Sequence, residues 1–167
     1  MEVILLKFYI TNFANMRYLN ETCIPISTCL SDPAFFHNNT RDKNVCFLDR
    51  HNIMNGIREE LLSPKFLREE DCVCQKACPF LNLNPSCPFL CAYSHYLNTI
   101  DFTSLLAEFE RTAEEVRQAT NFVGEPIIVL LVYEAENNPC SERVPLQNLF
   151  KKHGIDLKNL NKTTQLD

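Results

Sequence analysis

The sequence predicts an α/β domain built on a mainly parallel, Rossmann-like sheet flanked by helices. Three observations carry that expectation. Residues 127–132 read IIVLLV, an unbroken apolar run of strand length. A helical pattern precedes it over 103–120, and a second follows it from about 144 to 153. A run that dry, placed between two helices, suits a central parallel strand buried on both faces.

The elements follow in chain order. Val3 to Ile10 is a β-branched and aromatic run of strand length that ends at the polar pair Thr11-Asn12. A second short strand is expected over Cys23 to Ser27. Residues 31–70 mix a loop-like stretch, SDPAFFHNNTRDKN, with a helical one, HNIMNGIREELL. A short helix is expected between Pro64 and Asp71. From Thr103, the candidate N-cap, Leu105, Leu106, Phe109, Ala113 and Val116 recur at helical spacing. Gly124 and Pro126 punctuate before the central strand. Gly154 is the expected stop of the last helix, and Ile155-Asp156-Leu157 the expected last strand.

The chain has 167 residues, 46% of them hydrophobic, enough for one core and too few for two ordinary ones. It reads as a single domain, 1–167, with a cysteine-rich insertion at 71–92. Its formal charge is −5, which does not indicate nucleic acid as a partner, because phosphate neutralisation needs clustered Lys and Arg. No apolar run approaches the roughly 20 residues that span a bilayer, so no membrane association is expected. The start, MEVILLKFYI, lacks a basic leader and a small-residue cleavage site and reads as a strand, which predicts a cytoplasmic protein. Oligomeric state is not legible.

In an open α/β sheet, ligands bind beyond the carboxyl ends of parallel strands, where loops meet helix N-termini. Three segments leave such ends here: TNFANMR, the close of CIPIST, and YEAENNPCSER. They nominate Thr11, Asn12, Arg17, Ser27, Tyr133, Glu134, Cys140 and Arg143. A cysteine near a helix N-terminus has a lowered pKa, and Arg143 one turn away favours the thiolate further or grips an anion. Cys140 is thus a candidate nucleophile or polar liner, Glu134 an acid or base, and Tyr133 an orienting group. Arg143 and Arg17 are candidate anion clamps, with Thr11, Asn12 and Ser27 as ligand-binding strand-end residues. The plainer alternative is a helix-capping turn, a buried thiol, and a carboxylate paired with an arginine. His37, His51, His95 and His153 show no ligand-like spacing.

The order of these motifs resembles the bacterial family named only as domain of unknown function 488. Its members carry a strand running into a threonine/serine-tyrosine-phenylalanine turn, then a proline-isoleucine-serine strand. An aromatic-x-x-x-tyrosine-x-x-x-leucine segment follows. A strand ending cysteine-tyrosine-glutamate and then cysteine-histidine-arginine come last. The counterparts here are ITNFANMRYL, CIPIST, FLCAYSHYLNTID, LLVYE and PCSERVPLQNLFKKHGI, covering most of the chain except roughly 35–88. Val132 stands where the family has its first cysteine, and Cys140-Ser141-Glu142-Arg143 replaces cysteine-histidine-arginine. If the family's histidine is a general base, Glu134 or Glu142 would have to substitute. The resemblance implies a fold and a site location more than a reaction.

Together these observations predict binding of a small anionic or nucleotide-like ligand at the strand ends, with hydrolase or transferase chemistry as the enzymatic version. The alternatives are a non-enzymatic binding module, which the missing histidine favours, and a scaffold for an iron–sulfur redox centre. That last reading comes from DCVCQKACPFLNLNPSCPFLC, with five of the nine cysteines between Cys72 and Cys91. An odd cysteine count without a secretion signal disfavours a full disulfide framework. Cys74 and Cys78 are three residues apart, as are Cys87 and Cys91, with Cys72 in addition. Such a set can close a tetrahedral zinc site or hold an iron–sulfur cluster. Free thiols in a hydrophobic loop, or a couple of disulfides, are the other readings. Protein purified without oxygen is expected to carry roughly one zinc or one cluster per chain. Elemental analysis with an absorption spectrum checks this, and stoichiometric metal surviving the C74S/C78S double change would overturn those ligands.

Overall fold

A computed structural model describes residues 6–20, 22–28, 88–120, 124–138 and 141–166. Four parallel strands form one sheet: β1 (Lys7–Asn12), β2 (Cys23–Ser27), β3 (Ile127–Val132) and β4 (Lys158–Asn159), in the order β2-β3-β1-β4. The helices are a 3-10 turn (Phe13–Tyr18), α1 (Pro88–Leu97), α2 (Phe102–Thr120) and α3 (Arg143–Lys152). The protein is therefore an α/β domain with a parallel sheet, as the sequence predicts. The expected helices of the 31–70 region lie outside the described residues.

Strand β3 pairs with β1 on one edge and β2 on the other, and all six of its residues are buried. Side chains alternate across a strand, so the sheet feeds two cores. Phe8, Ile10, Ile24, Ile26, Ile128, Leu130 and Val132 face the helices, where they meet Tyr93 and Leu97 of α1, Phe109 and Val116 of α2, and Leu146 and Phe150 of α3. On the other face, Cys23, Ile127, Val129 and Leu131 pack with Phe13, Met16, Leu19 and Leu160. Each fully buried Val, Leu or Ile contributes about 1.5–3 kcal/mol of transfer free energy, which is why β3 carries no polar side chain.

Three boundaries differ from expectation. The pairing of β1 runs on through Thr11 and Asn12, which stand opposite Leu131 and Val132. Those two polar residues close the strand rather than follow it. Helix α2 begins at Phe102, and its start is held by Asp101 rather than Thr103. The Asp101 carboxylate accepts from the Ser104 amide (3.3 Å) and hydroxyl (2.9 Å), bonds that hold its pKa below the usual carboxylate range. The last strand is Lys158–Asn159 and not 155–157, because Ile155 is used to close helix α3 and Leu157 is buried in the core before pairing starts. Among the described residues no helix is long and apolar enough to cross a membrane.

The stop at the end of α3 follows from glycine. Gly154 has φ +81°, its amide donates to Lys151 O, and the Ile155 amide donates to Phe150 O, both at 3.0 Å. This is the paired-bond C-terminal motif that needs a left-handed residue. A Cβ on Gly154 would meet no atom within 4 Å, so a substitution there is penalised by conformation alone. Gly154→Ala is expected to destabilise by about 1 kcal/mol and Gly154→Asn by less, read from urea unfolding midpoints at constant m-value.

Candidate functional site

The parallel arrangement brings the carboxyl ends of β1, β2 and β3 to one rim. Asn12 closes β1, Ser27 and Thr28 close β2, and Tyr133-Glu134 follow β3. Helix α3 starts at the same rim with Arg143 as its first residue.

Arg143 is the centre of the site. It is 2% exposed, and its guanidinium holds three chain segments together. One terminal nitrogen donates to Asn159 Oδ1 of β4 (2.7 Å) and, at 3.4 Å, to Ile10 O of β1; the other donates to Glu134 O after β3 (3.0 Å). These acceptors are all neutral. No carboxylate of a described residue lies within ion-pair distance of the guanidinium, although Glu136 and Glu134 act on it from farther away. Its Nε has no hydrogen-bond partner among the described residues. Burial pulls its pKa below the ordinary arginine value, with Glu136 and then Glu134 pulling the other way. The charge sits at the amino end of α3, whose first turn contains no acidic residue but whose N-cap is the buried Glu142.

The remaining predicted residues take different positions. Thr11 is buried, donates to Leu160 O (2.6 Å) and accepts from Asn15 Nδ2 (3.0 Å). The same Asn15 amide donates to Asn12 Oδ1 at 3.0 Å and to Leu160 O at 3.3 Å, so the end of β1 is tied to the C-terminal segment. Ser27 is buried, and the hydroxyl of the next residue, Thr28, donates to Leu131 O at 2.9 Å. Tyr133 is 51% exposed, and its ring lies against Phe13 with centroids 5.2 Å apart. Glu134 is half-buried and meets Arg143 through its backbone carbonyl. Arg17 is exposed on the 3-10 turn, with its guanidinium carbon 5.3 Å from the Tyr18 ring centroid.

Cys140 lies outside the described residues, as do Cys72, Cys74, Cys78 and Cys87; Cys91 falls on α1, with its side chain outside them as well. Among the described residues no cluster of three or more ligating side chains is present. The described thiol, Cys23, is buried with its pKa pushed up to about 11 by that burial, which leaves it protonated and inert.

Four residues of this network escape a reading by motif. Asn159 and Gln147 support one another and the last strand: Gln147 Nε2 donates to Leu157 O (3.0 Å) and Asn159 Oδ1 (3.4 Å). Ser141 Oγ accepts from the Arg143 amide at 3.1 Å, one residue ahead of the N-cap Glu142, whose own side chain makes no capping bond. Asn15 joins strand end and tail. Only Ser141 has a local signal, a serine just ahead of a helical run. A separate cleft of about 450 Å³ opens between the first half of β1 and residues 155–158, away from this rim.

Comparison of the chain with family models, curated proteins and solved structures finds no match.

Arg143→Ala would leave the Ile10 and Glu134 carbonyls and the Asn159 amide oxygen without their shared donor. The expected loss is about 3 kcal/mol of unfolding free energy, with a smaller loss for Arg143→Lys, measured by urea denaturation.

Proposed function

We propose that this domain binds a small anionic or nucleotide-like ligand at the carboxyl rim, over Arg143. One observation carries the reading. A buried guanidinium stands at the strand ends with neutral partners and no direct carboxylate among the described residues. A buried charge whose direct partners are all neutral is costly, and an anion at the rim would add to the attraction that Glu136 and Glu134 supply from farther away. The amino end of α3 adds to the same field. The resemblance of the motif order to that of the domain of unknown function 488 family implies the same location.

Hydrolase or transferase chemistry, the enzymatic version, would add Cys140 as nucleophile, a residue outside the described ones. The carboxylate proposed as acid or base belongs to Glu134, whose contact with Arg143 runs through the backbone instead. Zinc or an iron–sulfur cluster on the cysteine-rich segment is an independent proposal that rests on cysteine spacing alone.

Thermal denaturation of the intact chain against inorganic phosphate, pyrophosphate and ribose 5-phosphate, at constant ionic strength, tests the reading. A saturable stabilisation is expected, reaching about 2.7 kcal/mol at a hundredfold excess over the dissociation constant. Arg143→Lys should weaken it at least about tenfold, since the planar fork is lost while the charge stays. Arg17→Ala, at an exposed position, reports whether that side chain adds to the clamp without disturbing the fold. Stabilisation that merely tracks ionic strength sinks the proposal.

A further inference from the structure

Asn159, at the carboxyl end of β4, makes the shortest hydrogen bond of the Arg143 guanidinium, and its side chain is only half used. Its Oδ1 accepts twice, from Arg143 Nη1 at 2.7 Å and from Gln147 Nε2 at 3.4 Å. Two donors converging on one atom fix which end of the amide is the oxygen. The nitrogen, Nδ2, points away from both, and it donates to no described residue. Asn159 is half-buried, and Nδ2 is not among the buried side-chain atoms that lack a partner, so it reaches solvent. Arg143 is placed the other way round. It is 2% exposed, both terminal nitrogens are spent on neutral acceptors, and its Nε is buried. The charge lies inside, and the open donor lies one hydrogen bond beyond it.

We infer that Asn159 is the residue that touches the anion, donating from Nδ2 while Arg143 supplies the charge behind it. The inference rests on the anion-binding reading above and names the side chain that makes its direct contact. A guanidinium donating to Oδ1 draws electron density through the amide, which makes the Nδ2 hydrogens stronger donors; linked hydrogen bonds polarise one another in this way. Gln147, one turn along α3 from Arg143, donates to the same oxygen and holds the amide in place. The neutrality of the side chain matters too. An aspartate here would accept both bonds, but it would pair with Arg143 and turn an oxygen outward instead of a donor.

Titration of the intact, isotope-labelled chain with inorganic phosphate at constant ionic strength, followed by NMR, tests the inference. The side-chain amide resonances of Asn159 are expected to move downfield and to saturate with the dissociation constant read from the rest of the spectrum. Asn159→Asp should fold with an unchanged or higher thermal midpoint, because Arg143 gains a counter-ion, and yet bind phosphate at least about tenfold more weakly. If Asn159→Asp does not fold, the resonances of the unmodified chain decide the matter alone. Saturable binding that leaves the Asn159 amide unmoved, or that Asn159→Asp keeps at full strength, overturns the inference and leaves anion binding standing. If phosphate shows no saturable binding, the anion-binding reading fails and the inference falls with it.

Discussion

Everything at the candidate site depends on strand β3 having a parallel neighbour on each edge. Its backbone is satisfied by β1 and β2, and its six side chains are buried in two cores. Parallel pairing on both sides aligns three carboxyl ends. It also forces the chain, on leaving β3, to turn polar within two residues, at Tyr133 and Glu134. The rim is thus a by-product of satisfying the driest strand.

Arg143 turns that rim from a set of loose ends into a structure. Its side chain ties Asn159 of β4, Glu134 after β3 and Ile10 of β1, adding to the ladder that already pairs Ile10 with Asn159. The same guanidinium links three chain segments, so replacing it alters the packing of all three. A buried ion held by neutral acceptors is a weak stabiliser compared with an apolar pair of the same volume.

The edges of the sheet are treated differently. Strand β4 contributes two residues and relies on side chains, with Gln147, Asn159 and the Leu160 contacts of Thr11 and Asn15 holding the C-terminal segment in place. Strand β2 carries Pro25, which removes a donor from its middle and suits a position at the side of a sheet.

The sequence by itself determined the parallel α/β class, β2 and β3, the core face of α2 and the stop at Gly154, because each is a local matter. An all-apolar run, a 3.6-residue period and a left-handed turn are written in neighbouring residues. It also located the rim, since strand polarity follows from the alternation of elements. What only the tertiary structure decided were matters of distance along the chain. The burial of Arg143 comes from acceptors at positions 10, 134 and 159. The last strand begins at Lys158 because Leu157 must first reach the core, and Thr11 is consumed by Leu160, 149 residues away. No periodicity records which carbonyl a guanidinium will meet, because that depends on how separate elements settle around one shared core.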